Sequence, residues 1–456
     1  MLGIPLARLI VIVGITLAVV GGGIGWLLHQ HAQQAAQSAD PEELFRQAVQ
    51  AKARQDASQA IALLQKAAKL GHPQAQFLLA KAYLAGDGVD KDPKEAAHWF
   101  RLAVKMGNHA EAAEELARLY ERGIGVEPSD AEAQKWHRFA AERGVAKAML
   151  RLAAMLAEGR GGERSLEQAI AWAGRAVEAG EAEARFLLAQ LLQRLREDAS
   201  RGEKEAQYLL ARVLLGFPGV EHDPSQAEAW LERAARRGHA RAAHLLAERR
   251  LRRNPDDTQA VAWLRIAADA GLAEAQGRLG AWLASHGRPA QAVAWLQRGA
   301  KGGDAVAMFN LAVLASEGIA MPADATKAAF WWRKAAEAGL ARAANAFGVM
   351  QLLGRGVEQN PNEALAWLRQ AAKRWIPAEF NLGLAALHGI GGARRPEQAV
   401  AHWKRAAKVA PEAALALGLC YAEGIGVGRN LKQALHWYRQ AAEQGLVPAI
   451  WNLSLL

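Results

Sequence analysis

Small and apolar side chains recur along this chain at intervals of three and four, in stretches separated by paired glycines. Near the C-terminus Ala413, Leu417 and Tyr421 stand at i, i+4 and i+8. Gly424-Ile425-Gly426-Val427 follows, and then Ala434, Trp437 and Ala441 stand at i, i+3 and i+7. Each set lies on one face of a helix. The paired glycines allow the tight reversal between two helices. Gly445 is suited to end the second helix, because glycine takes the left-handed cap without a Cβ penalty. The spacing predicts a helical hairpin with one apolar side.

The same pattern recurs back along the chain, at Trp99 with Gly107, Trp136 with Gly144, Trp172 with Gly180, Trp230 with Gly238, Trp263 with Gly271, Trp295 with Gly303 and Trp331 with Gly339. Trp367 and Trp403 keep the helix and lose the glycine, which Trp375 and Pro411 replace. Equivalent turns stand at Gly86-Asp87-Gly88-Val89, Gly123-Ile124-Gly125-Val126 and Gly354-Arg355-Gly356-Val357. One hairpin cannot bury its own apolar side, but stacked neighbours can. The expected architecture is all-α: a right-handed α/α superhelical solenoid, with the tryptophans filling the space between hairpins. The long interval from Trp172 to Trp230 predicts a shortened unit between Glu181 and Gly202. Arg249 to Pro255 replaces a glycine turn, and the turn at Ser285-His286-Gly287 is short. Residues 181–303 are therefore expected to be irregular.

The pattern closely resembles the Sel-1-like repeat family, relatives of the tetratricopeptide repeats. The resemblance rests on Ala413, Leu417, Gly418, Tyr421, Gly424, Gly426, Val427, Ala434, Trp437, Ala441, Ala442 and Gly445, and it extends from about Pro41 to the C-terminus. It implies a superhelix used for protein–protein interaction and complex assembly, with bacterial members working in the cell envelope. The family shares no catalytic residues, so the resemblance implies no enzyme, no cofactor and no metal.

The N-terminus follows a different pattern. Leu9 to Leu28 carries no charge and is long enough for a helix to cross a bilayer. A cleaved signal peptide has a shorter apolar region. Arg8 precedes the run, and no Lys or Arg follows it until Arg46. The positive-inside rule then predicts cytoplasmic residues 1–8, a single-pass inner-membrane anchor at 9–28, a linker at 29–40 and a periplasmic solenoid at 41–456. Gly21 and Gly25 form a small-x-x-x-small pair that suits homodimerisation in the membrane. Glycine is also simply common in such helices.

The formal charge is +10, with one cysteine. No intrachain disulfide can form. The positive charge favours anionic partners. Its strongest run includes Arg249, Arg250, Arg252 and Arg253, read either as an anion-binding patch or as a solvated helix face. Nucleic acid is excluded as a partner, since the run lacks stacking aromatics. Trp282, Trp332, Trp375 and Trp451 lie off the repeat position and are the candidate exposed contacts. The expected partners are envelope proteins, with an anionic polysaccharide or peptidoglycan as the alternative. Cys420 has no neighbouring cation in sequence and reads as a packed thiol. His29 and His31 fall short of a metal-ligand set. Asp87 to Asp92 lacks the oxygen spacing of a calcium loop.

Overall fold

The computed structural model describes residues 40–454. The predicted membrane anchor, the Gly21/Gly25 pair, His29, His31 and nearly all of the linker lie outside the described residues. No helix among those described is long and apolar enough to cross a membrane. They form 24 α-helices, from Pro41–Ala53 to Val447–Ser454, and no strand. The fold is a helical-repeat solenoid. The described residues divide into two compact units. One comprises residues 40–198 with Arg212–Pro224; the other comprises Ala199–Ala211 with the rest from Ser225 onward.

Within each unit a first helix pairs with a second, and the next first helix packs against that pair. Short side chains set the start of the second helices. Asp92 accepts from the Lys94 and Glu95 amides, Ser129 from Glu132 and Asn430 from Gln433. Each satisfies amides that have no partner inside the helix. The turn closes when the capping residue's own amide reaches back to the first helix, as from Asp92 to the Tyr83 carbonyl at 2.9 Å and from Asn430 to Tyr421 at 2.7 Å.

The turn glycines have a tertiary role as well as a conformational one. Gly125 and Gly356 have φ of +71° and +72°. A Cβ on Gly125 would sit 2.2 Å from the Pro93 carbonyl oxygen, and one on Gly356 would sit 2.2 Å from that of Ala325. Each turn thus lies directly on the start of the preceding unit's second helix. By contrast, Gly107 belongs to the helix Pro93–Gly107, and Asn108 is the left-handed cap. Gly107 is needed there because a Cβ would meet the Pro73 ring at 2.2 Å.

Several expectations are corrected. In most hairpins the residue that fills the inner position is the one after the tryptophan, although Trp172 and Trp263 are themselves buried. Phe100, His137, Leu231, Leu264, Leu296, Leu368 and Tyr438 are all buried at four residues past the seam alanine, while Trp99, Trp136, Trp230, Trp295, Trp331, Trp367 and Trp437 are half-buried beside them. Trp403 does not share their register. It lies four residues past Ala399, takes the inner position at 1% exposure, and donates its indole N–H to the Phe380 carbonyl. No shortened hairpin lies between Glu181 and Gly202; one helix, Ala182–Arg201, occupies that stretch. The arginine run is not a loop, since the helix Ala240–Arg253 continues through it. Good helix formers without glycine give the chain no reason to turn. The short turn at His286 is present as expected.

First helices carry a further device. His72, His109 and His239 cap their helices through Nδ1, accepting from Ala75, Ala112 and Ala242. The opposite ring nitrogen bonds the previous first helix, at Glu42, Gln74 and Glu205 respectively. Each ring also packs 4.5 Å from an aromatic of that helix, Phe45, Phe77 and Tyr208.

Gly125→Ala and Gly356→Ala are each expected to cost about 2–4 kcal/mol, the left-handed penalty plus the clash. Gly144→Ala, with open space around it, should cost only about 1–2 kcal/mol. Urea denaturation distinguishes them, and equal costs would mean that turn packing contributes nothing. Trp403→Ala should cost about 3–5 kcal/mol, more than the same change at half-buried Trp437.

Candidate partner-binding surface

The arginine run lies along the helix Ala240–Arg253, facing the preceding helix Pro224–Arg236. Arg249 and Arg253 both form ion pairs with Glu228, the first at 3.5 Å. Arg250 stands 3.8 Å from Glu232 and donates to Gln259 at 2.8 Å. Arg236 also holds Glu232, at 2.6 Å. Burial pushes the Glu228 carboxyl up, but the Arg253 hydrogen bond and the charges of Arg253, Arg249 and Arg250 hold it below its ordinary value. Arg252 is exposed. The run is therefore largely an internal ion-pair network with carboxylates far away in sequence.

The four off-register tryptophans diverge. Trp332 is corrected from exposed contact to core: it takes the inner hairpin position at 9% exposure and packs among Ala328, Ala329 and Phe347. Trp375 is half-buried against the same cluster. Trp451 is 69% exposed on the helix Val447–Ser454. Trp282 is half-buried and held on two sides. Its indole N–H donates to the Pro255 carbonyl at 3.0 Å, and its ring stacks on His286 at 4.0 Å. His286 in turn bonds Asp256 at 2.9 Å.

Trp282 forms one wall of a recess of about 590 Å³ between the helix Thr258–Asp269 and the hairpin Ala273–Lys301. Val261, Leu279 and Leu283 give it an apolar floor, and Arg265, Arg288 and Trp295 complete its rim. The volume lies within the range of pockets that enclose small ligands. Sequence reasoning singled out Trp282 and the short turn but not Arg265 or Arg288, which are ordinary surface arginines until the turn is seen to leave space between them.

The repeat tryptophans are less available as stacking platforms. The guanidiniums of Arg175, Arg233 and Arg298 lie 4.7, 4.5 and 4.8 Å from the ring centroids of Trp172, Trp230 and Trp295. Each cation covers an indole face.

Two buried titratable sites are enclosed within the repeats. His137 is fully buried, with Nδ1 2.8 Å from Glu114 and Nε2 3.5 Å from Glu121, which also pairs with Arg160 at 3.0 Å. Burial lowers the imidazole pKa, but hydrogen bonds to Glu114 and Glu121, and their charges, more than reverse this, and the net direction is upward. The Cys420 thiol is pushed up to about 11 by burial. A thiol protonated at neutral pH is a poor nucleophile.

The fold is that of a helical-repeat solenoid. The chain matches the Sel1 repeat at residues 50–72, 73–108, 110–145, 146–181, 204–239, 240–272, 273–304, 305–340, 341–374, 376–408 and 411–446. It belongs to the Sel1 repeat family. The only long interruption, at 182–203, coincides with the helix Ala182–Arg201. Among solved structures, the chain is similar to c5321 of uropathogenic Escherichia coli, described as a protective antigen with an SLR fold. The identity is 26%, covering 93% of this chain and 89% of that one, with a TM-score of 0.55. A Sel1 repeat protein from Oxalobacter formigenes is 23% identical over 86% of this chain and 88% of its own, at a TM-score of 0.30. One from Klebsiella pneumoniae subsp. pneumoniae is 25% identical over 41% of this chain and 94% of its own, at 0.31. No curated protein matches the chain.

A raised histidine pKa stabilises the fold fully below the unfolded value, and the contribution is lost as pH rises through the folded value. Wild-type stability attributable to His137 should therefore decline as pH rises above the ordinary histidine value of about 6.5. His137→Gln should lack that decline. Urea midpoints on both sides of that value check it, and parallel profiles would exclude the His137 cluster as the cause.

Proposed function

We propose that this protein is a membrane-anchored, periplasm-facing scaffold that assembles an envelope complex through protein–protein contacts. Membership of a repeat family that generally binds proteins supports the interaction role. The recess beside Trp282 is the observation that carries it to particular residues, because it joins an apolar floor to two exposed guanidiniums in the irregular part of the array. Interfaces draw most of their affinity from a few such anchors. The uncharged run Leu9–Leu28 supports the anchor and the orientation, and Gly21 with Gly25 would pair two anchors. We read the protein as non-catalytic. His137, Glu114, Glu121 and Cys420 are enclosed in the repeat core, where a substrate has no access.

A second reading, an anionic polysaccharide or peptidoglycan binder, is favoured by Trp282 and the two arginines of the same recess. The arginines already covering Trp172, Trp230 and Trp295 weigh against a wider sugar-stacking surface.

A pull-down with the tagged full chain from detergent-solubilised envelope should retrieve a defined protein partner by crosslinking mass spectrometry. Retrieval of none, from folded bait, would remove the scaffold reading. Co-sedimentation with purified cell-wall material at low salt would favour the second reading instead.

A further inference from the structure

At several joints of this chain two contacts lie between a second helix and the hairpin that follows. The first is the turn. Gly125 lies on the Pro93–Lys94 peptide, Gly356 on Ala325–Thr326 and Gly426 on Pro396–Glu397, and the next residues Val357 and Val427 pack against the core. The second, present at three of these joints, is a tyrosine near the end of the new first helix. Its hydroxyl meets the polar side chain five residues past the seam alanine, as Tyr83 accepts from Gln65 at 3.3 Å and Tyr120 from Arg101 at 3.0 Å. Lys404 stands 5.7 Å above the Tyr421 ring in the same relation.

Both contacts are missing where the helix Thr258–Asp269 meets the hairpin Ala273–Lys301. The turn runs only from His286 to Arg288, and Gly287 has no neighbour within 4 Å of where a Cβ would stand. This turn meets the preceding unit through the His286 side chain, which bonds Asp256 at 2.9 Å. The tyrosine position is Leu283, so Arg265, the counterpart of Arg101, is left with Asp269 at 3.9 Å, both largely exposed. Arg288 makes no ion pair among the described residues. The recess of about 590 Å³ at this joint is larger than those of about 410 and 420 Å³ beside Asp87 and Gly356, where the turn is intact. In the preceding joint the helix Ala240–Arg253 also lacks a glycine turn, but Arg249, Arg250 and Arg253 are already engaged by Glu228 and Glu232.

We propose that this recess takes an extended acidic segment of a partner protein, laid where the regular units lay their own Gly-x-Gly-Val turn. The assignment rests on the interaction-scaffold reading. A small residue would lie on the Asp257–Thr258 peptide. An aliphatic side chain would enter against Val261, Leu279 and Leu283. One or two carboxylates would meet Arg265 and Arg288, forming charge-assisted hydrogen bonds. Trp282 is fixed in advance by Pro255 and His286, which lowers the entropic cost of binding. The chain's own turns show the chemistry that fits such a joint, since an acid follows the valine as Asp90, Glu127 and Glu358.

The probe is a fluorescein-labelled peptide with the sequence of Gly86–Asp92, titrated by anisotropy into the detergent-solubilised full chain at low salt. Saturable binding is expected. The double variant Arg265→Glu, Arg288→Glu changes two exposed side chains and should fold normally, as judged by thermal melting, yet bind at least about tenfold more weakly. A peptide with asparagine at both Asp87 and Asp90 should weaken similarly, and Arg355→Glu should leave binding unchanged. Absence of saturable binding, or equal affinity for the double variant, overturns the proposal. An oligouronate that binds in an Arg265-dependent way where the peptide does not also overturns it, and reassigns the recess to an acidic glycan. In the envelope pull-down, loss of the wild-type partner from the double variant supports the proposal. A partner retained by that variant removes this site and leaves the scaffold reading standing, whereas no partner for the wild type removes both.

Discussion

Everything in this protein depends on closing apolar helix faces between neighbouring hairpins. Alanine seams let the helices approach, and one large side chain per hairpin fills what remains. Phe100, Leu231, Leu264 and Leu368 are fully buried in that role. A lone hairpin would leave such a residue half in water, so each unit depends on its neighbours. The burial is of order 1.5–3 kcal/mol per side chain, repeated along the array.

That constraint explains the rest of the local design. Turn glycines allow reversal of the chain and also lie on the start of the preceding second helix. The capping histidines join one first helix to the next through a hydrogen bond and a ring contact together. His137 is the exception at the inner position: a polar residue whose two ring nitrogens face Glu114 and Glu121. Burying such a group is tolerable only because both nitrogens have acidic partners.

Irregular joints are where the surface acquires individual character. Removing a turn from a regular array does not collapse the space it occupied, because the helices on both sides are held by their other contacts. Two joints that lost their glycine turns met different fates. At one, arginines closed on carboxylates of the adjacent helix. At the other, an apolar floor and two guanidiniums stayed open to solvent beside a fixed indole.

Sequence by itself determined the helices, the hairpin repeat, the glycine turns and the family, because these depend on residue spacing within a single unit and the chain restates them many times. It also predicted the short turn at His286 and named Trp282. It did not show which neighbouring residue of a pair faces inward, and so placed Trp332 on the surface and Trp403 in the wrong register; a one-residue difference on a helix is settled by what packs opposite. It could not see that Glu228 and Glu232 pair with Arg249, Arg250 and Arg253, or that Arg265 and Arg288 stand at one recess. Those facts are relations between successive units, and only tertiary packing brings their residues within reach of one another.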